Sequence, residues 1–253
     1  SSGKSVGGGN ITLMGIIFSH GYDFIISLEN LLEAWREFAK GKRSRRDVQM
    51  FESNLVSNLL FLHNDLKSKT YQHGGYEAFR ISDPKPRNIH KASVRDRVLH
   101  RAIYRILYPF FDRTFIHDSY SCRFGKGTRK ALDRFRSLAY MVSKNHSKTI
   151  WVLKCDIRKF FASIDHDNLL KTIKNYVSDS GTLVLLAKII EGFNSNQKDA
   201  GLPLGNLTSQ LFANVYLNRL DQFMKCELRV RYYLRYADDF VVMSTDKNRL
   251  LDI

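Results

Sequence analysis

Three acidic residues carry the chemistry open to this sequence. Asp238 and Asp239 stand side by side at the polar centre of Tyr236-Ala237-Asp238-Asp239. Aromatic and β-branched runs flank them, at 231–235 and 240–243, so the pair is expected at the tip of a tight β-hairpin. Neighbouring carboxylates repel each other, which demands either full solvation or cations between them. Asp156 follows a third β-favouring run, 150–153, and is expected at the end of a buried strand. Alone it would read as well as a turn or helix-cap aspartate. The 238 − 156 = 82 residues between them are no obstacle, because strands distant in sequence can be sheet neighbours. Three converging carboxylates are hard oxygen ligands. They suit two magnesium ions about 3.5–4 Å apart, which together activate an attacking 3′-hydroxyl and stabilise a leaving pyrophosphate.

Several elements must hold these residues. Over 76–92, YEAFRISDPKPRNIHKA reads as a basic hairpin turning at its prolines. Ser93 caps a helix with Asp96 at the third position, and Val94, Val98, Ala102 and Ile106 form its apolar stripe. Arg97, Arg101 and Arg105 form a second stripe, suited equally to successive phosphates and to solvent. A further basic cluster, Arg123, Lys126, Arg129 and Lys130, leads from a Gly-flanked loop into a helix. Upstream, Val48, Phe51, Leu55, Leu59, Leu62 and Leu66 step by three or four, which predicts one long helix. The Gly-rich start, 1–10, reads as a flexible tail; its Gly3-Lys4-Ser5 lacks the upstream glycine and strand of a phosphate-binding loop.

Composition bounds the partners. The chain of 253 residues is 43% hydrophobic and 12% aromatic, which excludes wholesale disorder. Forty Lys and Arg against twenty-five Asp and Glu leave a net charge of +15, spread along the chain, which suggests a polyanionic partner, nucleic acid first, although membrane surfaces and solubility produce the same balance. Cys122, Cys155 and Cys226 are odd in number and widely spaced, so neither a disulfide framework nor a zinc site is expected, and a cytoplasmic location fits. No apolar run is long enough for a membrane span.

Five stretches in order, SVRDRVLHRAIYRIL, DSYSCRFGKGTRKAL, VLKCDIRKFFASIDH, GLPLGNLTSQLFANVYLNRLD and YLRYADDFVVM, resemble the prokaryotic reverse transcriptases related to group II intron enzymes. The resemblance covers about 79–243 and implies an α+β, right-hand polymerase fold. Residues 11–149 would form mostly helical fingers, with the basic hairpin near 79–92. Residues 150–253 would form a palm with an inserted fingers segment near 167–200, and no thumb is expected within this chain. It implies RNA-directed DNA synthesis from dNTPs on an RNA template with a DNA or RNA primer, using two Mg²⁺ ions with Mn²⁺ as a substitute. Asp156, Asp238 and Asp239 would be the catalytic metal ligands.

Phe161, five residues after Asp156, stands where the family blocks a ribose 2′-hydroxyl, which implies selection of dNTPs. Lys85, Arg87 and Arg97 resemble the positions that grip the triphosphate. Gly205 and Gln210 belong to the motif beside the nascent base pair, Gly205 allowing close approach and Gln210 packing under the template. Most group II intron enzymes have Gln where this chain has Leu204 and Pro where it has Gln210. That departure is similar to the enzymes of diversity-generating retroelements, which work with a small helical accessory protein. Defence-associated reverse transcriptases, and a non-catalytic RNA-binding scaffold of the same shape, are the alternatives.

Overall fold

The basic stretch at 76–92 folds as the sequence pattern demands. Strand β1 (Tyr76–Ile81) pairs antiparallel with β2 (Arg87–Ala92), Tyr76 opposite Ala92 and Ile81 opposite Arg87. The computed structural model describes residues 17–18, 21–82, 86–193, 195 and 198–253. The tail expected over 1–10, and Lys85, lie outside the described residues.

Among the described residues, four helices precede the hairpin: α1 (Tyr22–Ile26), α2 (Leu28–Ala39), α3 (Arg46–Glu52) and α4 (Leu55–Lys67). The single long helix expected from Val48 is therefore two. Ser53 and Asn54 interrupt it: Ser53 Oγ donates to the Met50 carbonyl, and Asn54 leaves helical geometry at φ −125, ψ 37. Such short polar side chains offer the backbone competing hydrogen bonds. The apolar spacing survives the break, so Val48, Leu59, Leu62 and Leu66 are all buried.

After β2 comes the principal helix of the core, α5 (Val94–Asp112). Ser93 Oγ accepts from the Asp96 amide and donates to the Asp96 carboxylate, the reciprocal cap read from the sequence. Val94, Val98 and Ala102 are buried as the stripe requires, and Leu99, Ile103 and Leu107 widen it, because α5 packs against both α2 and α10. The chain continues through α6 (Thr128–Val142), β3 (Trp151–Cys155), α7 (Phe160–Ser163), α8 (His166–Lys174), α9 (Ser180–Glu191) and α10 (Leu207–Gln222). A π-helical turn (Phe223–Glu227) leads into β4 (Tyr233–Tyr236), β5 (Asp239–Ser244) and α11 (Lys247–Leu251).

The second sheet is antiparallel, in the order β3-β5-β4. Alternation along its strands serves two clusters: Leu234 and Met243 face Leu138 and Val142 of α6, while Tyr233 and Val242 face Met224, Val230 and Leu250. β3 corrects an expectation. It lies at the sheet edge with one neighbour, and Trp151 and Val152 are each 43% exposed, so it is not a buried strand. The architecture is α+β, as expected. All three cysteines are free, and among the described residues no helix is long and apolar enough to cross a membrane.

Candidate functional site

The acidic pair sits where the sequence pattern puts it. Tyr236 pairs with Asp239, leaving Ala237-Asp238 as a two-residue turn between β4 and β5. On the neighbouring strand, Cys155 pairs with Phe240 as the last rung, so Asp156 leaves β3 at the end where Asp239 enters β5. The three aspartates thus lie at one end of the sheet. Burial pushes the Asp238 carboxyl above the ordinary carboxylate range, and the charges of Asp156 and Asp239 push it further, while Arg87 opposes them. All three partners are therefore within electrostatic reach of Asp238. The Lys154 ammonium lies 3.4 Å from Asp239 Oδ1, on the side of β3 that also carries Asp156.

The donor set fits divalent magnesium or manganese in type, since it offers only carboxylate oxygens with mutual repulsion to be relieved. Among the described residues no three His, Cys, Asp or Glu side chains close into a ready metal cage, and Asp239 has the Lys154 ammonium as counter-ion.

The remaining expected site residues divide. Phe161 lies in α7, half-buried, its carbonyl accepting from the Leu202 amide at 2.7 Å and its ring 5.4 Å from that of Phe160. Arg87 is exposed at the start of β2, and its charge reaches Asp238. Arg97 is committed elsewhere. It donates to Asp47 at 2.6 Å and lies over the Phe38 ring, so in this structure it braces α3 and α2 against α5. The rest of its row does the same, for Arg101 and Arg105 both pair with Glu37 of α2. The arginine stripe is thus an internal ion-pair seam and not a free row of phosphate contacts. In the second basic cluster, Arg123 is turned inward onto Asp112 and the Ile116 and Ser119 carbonyls.

Gly205 does allow a close approach, but the neighbour is Ile89 of β2. A Cβ on Gly205 would meet Ile89 Cγ2 at 2.9 Å, and φ is +102. Either side of it the hairpin is tied down: the His90 amide donates to the Leu204 carbonyl at 3.0 Å, and Asn206 Nδ2 donates to the His90 carbonyl at 3.1 Å. Gln210 is half-buried in the first turn of α10.

Sequence reasoning missed two participants. Lys154 occupies an outward position two residues before Asp156, and strand alternation alone would have put both on one face. Arg235 is fully buried in β4 beside the acidic turn. Its signal was an arginine on the same strand face as the inward-facing Tyr233, a position that calls for a buried carboxylate partner.

The helical framework, the two small sheets and the acidic hairpin tip together define the right-hand polymerase fold. A family model described as reverse transcriptase (RNA-dependent DNA polymerase) matches residues 81–253, and the chain belongs to that family. The Escherichia coli protein YkfC is 26% identical over 184 residues, covering 69% of this chain and 47% of its own length. The group II intron-encoded protein LtrA of Lactococcus lactis is 25% identical over 142 residues, 54% of this chain and 22% of LtrA. The chain therefore spans less than half the length of these curated relatives. A solved chain of a partial Cas6-RT-Cas1-Cas2 complex superposes with a TM-score of 0.54 at 21% identity, over 89% of this chain and 38% of that one. At that identity the likeness is one of fold.

Proposed function

We propose that this chain is the catalytic part of an RNA-directed DNA polymerase, extending a DNA or RNA primer on an RNA template with dNTPs. The observation that carries the reading is the strand register that brings Asp156 and the Asp238-Asp239 turn to the same end of the sheet, with the Arg87 charge of the basic hairpin within electrostatic reach of Asp238. Acidic oxygens opposite a basic hairpin suit metal-assisted nucleotidyl transfer, the acids facing cations and the guanidinium facing triphosphate oxygens. Two magnesium ions held by Asp156, Asp238 and Asp239, or manganese in their place, would supply Lewis acidity at the 3′-hydroxyl and at the departing pyrophosphate. Arg87 binds the triphosphate as a planar fork. Phe161 closes the space beside the ribose 2′ position, Gly205 and Asn206 hold the basic hairpin over the acids, and Gln210 supports the templating base.

In this reading 11–149 serve as fingers and 150–253 as palm, with 167–200 an inserted fingers segment. Primer extension by the full-length protein is the test. Asp156→Ala and Asp238→Ala should each abolish extension, and Phe161→Ala should raise rNTP incorporation relative to dNTP. Undiminished synthesis by either aspartate variant refutes the assignment.

The finer setting we propose is a diversity-generating retroelement, supported by Leu204 and Gln210 in the motif that leads into the first turn of α10. Sequenced products should then carry errors concentrated at template adenines, aided by a small helical accessory protein. Faithful copying of adenines would favour the defence-associated alternative.

A further inference from the structure

Arg235 and Asp221 are both fully buried, and every one of the five guanidinium N–H donors is used. Nε and Nη2 grip the two oxygens of Asp221 at 2.8 and 2.7 Å, Nη1 reaches Asn214 Oδ1 at 3.2 Å, and Nη2 also reaches Ser119 Oγ at 3.0 Å. Tyr233 donates its hydroxyl to the same Asp221 at 2.7 Å, and Asn214 Nδ2 donates to the Ser121 carbonyl at 2.9 Å. The assembly therefore locks β4 to α10 and to the segment around Ser119. Its remaining bond points forward. Arg235 Nη1 donates to the carbonyl oxygen of Ala237 at 2.9 Å, inside the turn that presents Asp238.

Ala237 has φ 53, a left-handed conformation that an L side chain disfavours. Such a residue holds its shape only where its surroundings over-determine it. Neutralising Asp221 would need no contact with the turn, yet the guanidinium spans both. We infer that Arg235, oriented by Asp221, is a positioning residue for the acidic turn. It sets where the Asp238 carboxylate stands relative to Asp156, and it ties that placement to α10, whose first turn carries Gln210. The kinetic consequence rests on the polymerase reading proposed above, while the consequence for cation binding does not.

Two variants of the full-length protein separate positioning from mere stability. Arg235→Lys keeps a charge opposite Asp221 but cannot fork between the carboxylate and the Ala237 carbonyl. Arg235→Met combined with Asp221→Leu removes both charges, so that neither buried ion is stranded. Rates are normalised to active sites titrated with primer-template, which removes any loss of folded protein. A displaced carboxylate should lower kcat per site by about a hundredfold, with little change in the dNTP KM. Mn²⁺ binding followed by electron paramagnetic resonance, without nucleotide, should weaken several-fold in both variants.

Native kcat per site together with native Mn²⁺ affinity in either folded variant would overturn the inference. Should the native protein extend no primer, the polymerase reading fails by itself and the Mn²⁺ titration decides alone. Weaker binding by the variants then upholds the positioning role; equal binding, or none to the native protein, overturns it.

Discussion

Gly205 and Ile89 approach so closely that a Cβ on Gly205 would lie 2.9 Å from Ile89 Cγ2, at a φ of +102 that only glycine adopts readily. The contact joins the connection before α10 to the basic hairpin. Gly205→Ala should cost roughly 1–3 kcal/mol of stability from backbone strain and the clash. It should also lower primer-template extension, because relief requires β2 to move. Urea denaturation and extension assays measure the two effects, and a neutral substitution would show that the hairpin is free to shift.

Arg87 and Arg97 should behave differently despite their similar place in the sequence. Removing Arg87 should raise the dNTP KM by about tenfold, the worth of a charge-assisted contact, and leave thermal stability near native. Removing Arg97 should instead cost about 1 kcal/mol through its Asp47 and Phe38 contacts and leave the dNTP KM unchanged. Steady-state kinetics beside thermal melts separate them. The opposite pattern would mean that Arg97 leaves Asp47 when nucleotide binds.

Asp47 supplies a pH signature for the ion-pair seam. Its burial pushes the carboxyl up, but hydrogen bonds from Lys91 and Arg97 overcome that and hold it at about 2. A folded pKa below the unfolded one adds stability above the ordinary value near 3.8, and that stability is lost as pH falls through about 2. Asp47→Asn should therefore be destabilised by up to about 1 kcal/mol at neutral pH, the scale of a partly solvated pair. The gap should narrow as acid is added. Denaturant midpoints across this range report it, and a gap independent of pH would rule out the charge as its source.

What was legible in the sequence was local. The hairpin at 76–92, the Ser93 cap and the acidic turn follow from turn chemistry and alternation, and each formed where expected. The interruption at Ser53-Asn54 was hidden because the apolar period runs straight through it. The exposure of β3 was hidden because strand composition does not tell an edge from a centre. The role of the arginine row was hidden for a different reason. Glu37 and Asp47 arrive from separate helices, 68 and 50 residues away from Arg105 and Arg97, and no spacing rule links them. Arg235 belongs with these, since its carboxylate partner comes from α10.

Because β3 and β5 share a hydrogen-bonded ladder that ends at Cys155 and Phe240, backbone rungs measure the distance between Asp156 and the acidic turn. The connections around α8 and α9 can lengthen or shorten without disturbing that ruler, provided the rungs hold and α10 keeps Asn214 and Asp221 on Arg235. A slip of one residue would be drastic, since alternating side chains would turn Asp156 towards the opposite side of the sheet. On the polymerase reading, the alignment of the three aspartates thus tolerates change in those connections and is acutely sensitive to strand pairing.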